Sequence, residues 1–246
     1  SLSLLSDQPG TMYSAQSWEL SGQDTSLNVG AGGIITGDIN ANDAASISFG
    51  TTDINQSTNY YGNINAPLAS VTMKDTAWQV NKQSVAKSLT LNGSTLSFNR
   101  FGQGGLTSDT LEATNSSFII NADGKAADTV TVNQALTGGN NTLVVIPTTN
   151  SVKQGGDPVS LVTAPKNTQS NIFTLNPVSI NAGFHSFTPQ LDVLETDVNK
   201  QWRLEGFYIQ PDKAALRTGK SFMDLGYKNF ITEINNLNDR MGDLRH

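Results

Sequence analysis

The chain has no cysteine, two histidines and only 15% charged residues among 246. Each shortage excludes something. Without Cys there is no disulfide framework, no thiolate zinc site and no thiol nucleophile. His185 and His246 form no cluster for a metal and argue against a Ser–His–Asp triad; the sequence implies no metal site and no cofactor. A net charge of −6 opposes a phosphate-tracking surface, so nucleic acid is not an expected partner. No apolar run approaches the roughly 18 residues of a membrane helix. The opening SLSLLSDQPG lacks the basic start and long apolar core of a signal peptide, so the chain reads as an internal piece of a larger protein.

What is present is uncharged and polar. Asn, Ser and Thr make up about 30% of the chain, beside 22 Gly. These residues compete with helix formation and favour turns, while Thr and Val favour strands. Short aliphatic clusters recur too regularly for disorder. One series runs Ile47-Ser48-Phe49, Val71-Thr72-Met73, Leu89-Thr90-Leu91, Leu111-Glu112-Ala113 and Val130-Thr131-Val132, with steps of 24, 18, 22 and 19 residues. A second runs Trp78-Gln79-Val80, Leu96-Ser97-Phe98, Phe118-Ile119-Ile120 and Leu143-Val144-Val145, with steps of 18, 22 and 25. A shared, loosely kept period is the mark of a solenoid. No fixed Leu and Asn framework or six-residue spacing is present. The expected fold is therefore all-β, a right-handed single-stranded parallel β-helix, with a β-sandwich or jelly roll as the runner-up.

The pattern changes past about residue 150. Pro158, Pro165, Pro177 and Pro189 punctuate the chain, yet strand-like runs remain at 159–162, 172–175 and 201–209. This reads as a cap over the open end of the solenoid. Trp202, Leu204, Gly206, Phe207 and Tyr208 are its expected packing residues. Further on, Phe230, Ile234, Leu237, Met241 and Leu244 are spaced 4, 3, 4 and 3. That stripe predicts one appended α-helix.

Three stretches carry a family resemblance: Asp109-Thr110-Leu111 through Leu143-Val144-Val145, Leu161-Val162-Thr163-Ala164-Pro165 through Phe207, and Asn229-Phe230-Ile231-Thr232-Glu233-Ile234-Asn235-Asn236-Leu237 through Arg245. Together they resemble the end of the passenger of serine protease autotransporters of enteric bacteria, closely over about 109–245. Asp239 and His246 depart from the family pattern. The resemblance implies a β-helix stem at 1–108, terminal rungs with an autochaperone cap at 109–218, and a passenger–translocator linker helix at 219–246. It implies type V secretion to the surface or exterior of a Gram-negative bacterium. The implied partners are the protein's own outer-membrane β-barrel translocator, the upstream passenger and a host or extracellular target. It implies release between Asn235 and Asn236, and a chymotrypsin-like catalytic domain elsewhere in the parent. No Gly-Asp-Ser-Gly motif occurs here, so this segment is not expected to be an enzyme.

Two other functions are weighed beside this one. An adhesin-type stalk would use loops such as 50–68, with Tyr60 and Tyr61. A β-helical carbohydrate-active enzyme would need clustered carboxylates, and the acidic residues here are scattered over separate rungs. Gly30-Ala31-Gly32-Gly33 precedes a strand-like run and lacks a P-loop Lys, so it reads as a rung corner. His185 reads as a surface or packing residue.

Overall fold

The structure, a computed structural model, describes residues 1–4, 10–52, 55–99, 103–148, 157–176, 178–182 and 185–212. The expected helix at 219–246 lies outside these residues. In chain order the strands are β1 (Leu2–Leu4), β2 (Met12–Leu20), β3 (Thr25–Val29), β4 (Ile34–Ala41), β5 (Ala45–Phe49), β6 (Thr58–Tyr61), β7 (Ile64–Lys74), β8 (Thr76–Val80), β9 (Gln83–Asn92) and β10 (Thr95–Phe98). They continue with β11 (Gly105–Thr114), β12 (Ser117–Ala122), β13 (Thr129–Gly139), β14 (Asn141–Pro147), β15 (Val159–Pro165), β16 (Phe173–Asn176), β17 (Ile180–Ala182), β18 (His185–Glu195) and β19 (Asn199–Pro211).

Parallel pairing among β1 to β16, each with a strand about one turn away, makes a β-solenoid of about six turns. The right hand expected of it is the one strand twist favours for parallel crossovers. Three ladders form its walls. In the first, Leu2, Leu27, Ile47, Val71, Leu89, Leu111 and Leu136 stack in register. In the second, Tyr13, Ile35, Tyr60, Trp78, Leu96, Phe118, Leu143 and Leu175 do so. The third links Leu106, Val130 and Val162, with Ile39 above Ile64 nearer the N-terminal end. Alternation along the strands, reset at the bends and bulges, sends one set of side chains inward, and those stacked sets are the core.

The second aliphatic series matches its ladder throughout. The first needs one correction. Leu111 stacks on Leu136, and Val130 belongs to the third ladder. β13 is long enough to bend through a corner, so two walls share one strand, and the sequence pattern alone does not mark the bend. Tyr60 also departs from the loop reading. Its ring is fully buried, 5.1 Å from Phe49 and 6.1 Å from Trp78. Its hydroxyl lies 3.0 Å from the Gly37 carbonyl and 2.9 Å from that of Asn63. Burial, aided by Asp38, raises its pKa and keeps it a neutral donor.

Between the first and second ladders the chain turns within one or two residues. Asp75, Gly93, Asn115 and Asn140 occupy these corners with φ of 46°, 60°, 51° and 57°. Only Gly, and to a lesser degree Asn and Asp, tolerate that region. The Asn-rich composition thus has a local cause.

Candidate functional site: the last coils and their cap

Just inside those corners runs a buried polar ladder. The Thr76 amide donates to the Ser94 hydroxyl, the Ser94 amide to the Ser116 hydroxyl, and the Ser116 amide to Asn141 Oδ1, at 3.1, 3.1 and 3.0 Å. Asn141 Nδ2 donates to the carbonyls of Ala113, at 2.8 Å, and Ile172, at 3.2 Å. Each side chain satisfies a backbone group of the neighbouring rung that the tight turn would otherwise leave unpaired in the core. Asn141 ends the series with an amide whose acceptor and two donor hydrogens sit on separate atoms, so it binds Ser116 and Ala113 on one side and Ile172 on the other.

The solenoid then changes character. β15 still pairs parallel with β13, but its other edge takes β19 antiparallel, with Val162 opposite Trp202. β19 folds back on β18 from Glu195–Lys200 to His185–Pro211. An antiparallel hairpin therefore closes the third ladder. An open rung presents unpaired N–H and C=O groups and bare core, and the hairpin covers both.

Packing follows the same geometry. Phe118 meets Phe173 at 5.0 Å and Phe173 meets Trp202 at 5.3 Å, both edge to face. The aromatic column thus passes from the parallel coils into the cap. Trp202, Leu204 and Phe207 are buried. Gly206, φ 151°, sits at a bulge where Gln190 faces Gly206 and Leu191 faces Leu204, leaving Glu205 over. Tyr208 departs from the expected packing. It is 49% exposed, because alternation after Phe207 turns it outward. His185 opens β18 on the surface, as expected.

One charge is buried here. Lys200 Nζ donates to the Thr168 carbonyl and pairs with Glu195 at 3.3 Å, with its side chain 7% exposed. Thr168 is itself tied to Pro165 through its amide and hydroxyl. A lone buried ammonium is costly, so the pair fixes where the hairpin sits on the turn after β15. Outside the barrel, Ile119, Val144 and Ile146 form a second apolar cluster with Val178 against it. β12 and β14 are therefore buried on both faces, whereas β5 and β8 are covered on their inner faces alone.

Sequence reasoning missed Phe173, Lys200, Glu195, Thr168 and the Thr76–Ser94–Ser116–Asn141 ladder. The ladder had a signal, a small polar residue at the entrance of each second-wall strand. Lys200 had none. Asn235, Asn236, Phe230, Ile234, Leu237, Met241 and Leu244 lie outside the described residues. Among the described residues no three His, Asp or Glu side chains converge on a metal position.

No family model matches the sequence. Individual proteins do. The serine protease Pet autotransporter of Escherichia coli is 34% identical over 261 aligned positions, covering 96% of this chain and 20% of its own length. Serine protease EatA of Escherichia coli is 38% identical over 185 positions, covering 75% and 13%. The SepA autotransporter of Shigella flexneri is 34% identical over 188 positions, with the same coverage.

The chain belongs to the serine protease autotransporters. It matches their passenger region, and the β-solenoid fits the passenger stalk. Proteins of this family are secreted or surface-exposed on Gram-negative bacteria. The chain spans about a fifth or less of the length of the curated relatives it matches. Among the described residues no helix is long and apolar enough to cross a membrane.

Proposed function

We propose that this autotransporter segment is the C-terminal stalk of a passenger and that its cap, 159–211, acts as an autochaperone. The observation that carries this reading is the continuous packing from Phe118 through Phe173 to Trp202, sealed by β19 against β15. A solenoid rung cannot bury its own apolar face alone, so its folding needs a neighbour already in place. The capped end supplies one, with two-sided burial at β12 and β14. Rungs then add toward the N-terminus as chain emerges from the outer membrane, and folded chain cannot slip back. The opposite end suits a continuing stack, since Leu2, in the inward column of the first ladder, stands 47% exposed on the first coil. The upstream passenger is the proposed occupant, and a β-barrel translocator the proposed partner downstream. The proposed protease activity of the parent resides in a domain outside this segment.

Refolding kinetics test the autochaperone role. Leu204→Ala should slow refolding nearly in proportion to its stability loss, whereas Ile47→Val should act mainly on unfolding. The reverse assignment would sink the proposal.

The release step is proposed at Asn235-Asn236. The Asn235 side-chain nitrogen attacks the Asn235 carbonyl carbon, a C–N bond forms, and a cyclic imide results. The peptide bond to Asn236 breaks and the proton leaves with the new Asn236 amine. The attack needs orientation and a polarised carbonyl, which the proposal assigns to the barrel lumen around a linker helix with the Phe230, Ile234, Leu237, Met241 and Leu244 stripe. Without the barrel the chain should stay whole. Intact-mass measurement detecting loss of the last eleven residues on storage would refute this.

A further inference from the structure

The outer face of the first ladder is built of hydroxyls. Ser26, Ser46, Ser70, Ser88 and Thr110 occupy one register position on five successive rungs. Two residues along each strand stand Asn28, Ser48, Thr72, Thr90 and Glu112. The first column floors a groove of about 580 Å³ that runs along the solenoid axis. Asp24, Leu68, Lys87, Asp109 and Gln134 wall it. Ser88 donates to Ser70 at 3.0 Å, and Leu68 is 50% exposed.

We propose that this groove binds a linear, neutral, β-linked glycan lying along the solenoid axis. The pitch selects the ligand. Hydroxyls repeat once per rung, about 4.8 Å, so four steps span about 19 Å. An extended β-linked hexose chain advances by close to one rung per sugar, so each unit meets the same polar floor. An extended peptide advances about 3.3 Å per residue and drifts out of phase. Peptides also add to sheet edges, where backbone groups are free, and this is a sheet face. Two carboxylates against one ammonium in the walls repel a polyphosphate. A compact apolar ligand wants an enclosed apolar pocket, while this groove is open and floored by hydroxyls. Leu68 offers an apolar edge for the C–H face of a sugar ring. Asp24 and Asp109 border opposite ends of the five-rung floor, about 19 Å apart by the rung spacing. The two carboxyls of a glycosidase lie within about 10 Å of one another. The groove therefore binds without cleaving.

The test is an NMR titration of the folded chain with β-1,4-linked hexasaccharides of glucose and of N-acetylglucosamine. One of the two should shift the amides of Ser46, Ser70 and Ser88, and bind about tenfold or more tighter than its disaccharide, because a longer strand covers more rungs. Ser46→Tyr with Ser70→Tyr fills the floor and should abolish binding with the melting temperature kept. Gln79→Tyr, on the outer face of the second ladder, should leave binding intact. If the double variant fails to fold, Leu68→Asp at the exposed wall gives the same readout. No shift with either hexasaccharide, equal affinity for the disaccharide, or unchanged binding in the filled variant would each overturn the proposal.

Discussion

The Trp202 ring meets Phe173 edge to face at 5.3 Å, while its backbone pairs antiparallel with Val162. One residue therefore closes two walls of the solenoid, the second by its ring and the third by its strand. Trp202→Ala should cost about 3–5 kcal/mol, the usual price of an emptied aromatic core site. The loss should be local. Hydrogen exchange should show weakened protection over 110–211 and less change over 10–99. Equal loss in both regions would contradict a cap that stabilises its own end first.

Asn141 is the polar counterpart. Its amide serves Ser116, Ala113 and Ile172 at once. Asn141→Ala takes a side-chain partner from three backbone groups, at about 1–3 kcal/mol for each left unsatisfied. Ser88→Ala, on the surface, should stay within about 0.5 kcal/mol. Urea unfolding of the two variants decides this, and similar midpoints would refute the importance of the ladder.

Adjacent glycines should respond in opposite ways. Gly138 has φ 105°, and a Cβ there would come 1.9 Å from the Ala113 carbonyl oxygen. At Gly139 a Cβ meets nothing within 4 Å and the backbone suits an ordinary residue. Gly138→Ala should destabilise by at least about 2 kcal/mol. Gly139→Ala should be neutral or stabilising by up to about 1 kcal/mol, through a stiffer unfolded chain. Thermal melts that rank them the other way would show the rungs shift apart freely.

Asp128 carries a pH signature. Its carboxylate accepts from the Gly104 amide at 2.7 Å and the Asn121 amide at 2.8 Å. Burial nevertheless outweighs those bonds and raises its pKa above 3.8. From that value up to the raised one, the folded chain holds a proton that the unfolded chain has released. Its contribution to stability therefore falls as pH rises through the window, and the loss is complete above it. The stability of the native chain minus that of Asp128→Asn should decline with rising pH across this range. A difference that grows with pH would reverse the sign assigned here.

Much of the architecture was legible because it is local. Trp78, Leu96, Phe118 and Leu143 keep a period on one wall, so the second ladder could be read directly. Val130 was misassigned because β13 bends at Asn133-Gln134 without leaving the strand or taking a positive φ, and a period-2 pattern is blind to such a bend. Trp202 and Leu204 were legible as inward-facing residues from the alternation in β19. The faces of Phe207 and Tyr208 were not, since the bulge at Glu205 shifts the phase and turns Phe207 in and Tyr208 out.

Composition and alternation by themselves determined an all-β solenoid with tight polar corners, because strand alternation and left-handed turn residues act within a few residues. Tertiary structure alone decided that three walls share these strands, that Asn141 joins three rungs, and that Lys200 is buried against Thr168 and Glu195. Those outcomes depend on which segments end up one turn apart. Rung lengths vary, and only the packed stack fixes the partner each residue meets.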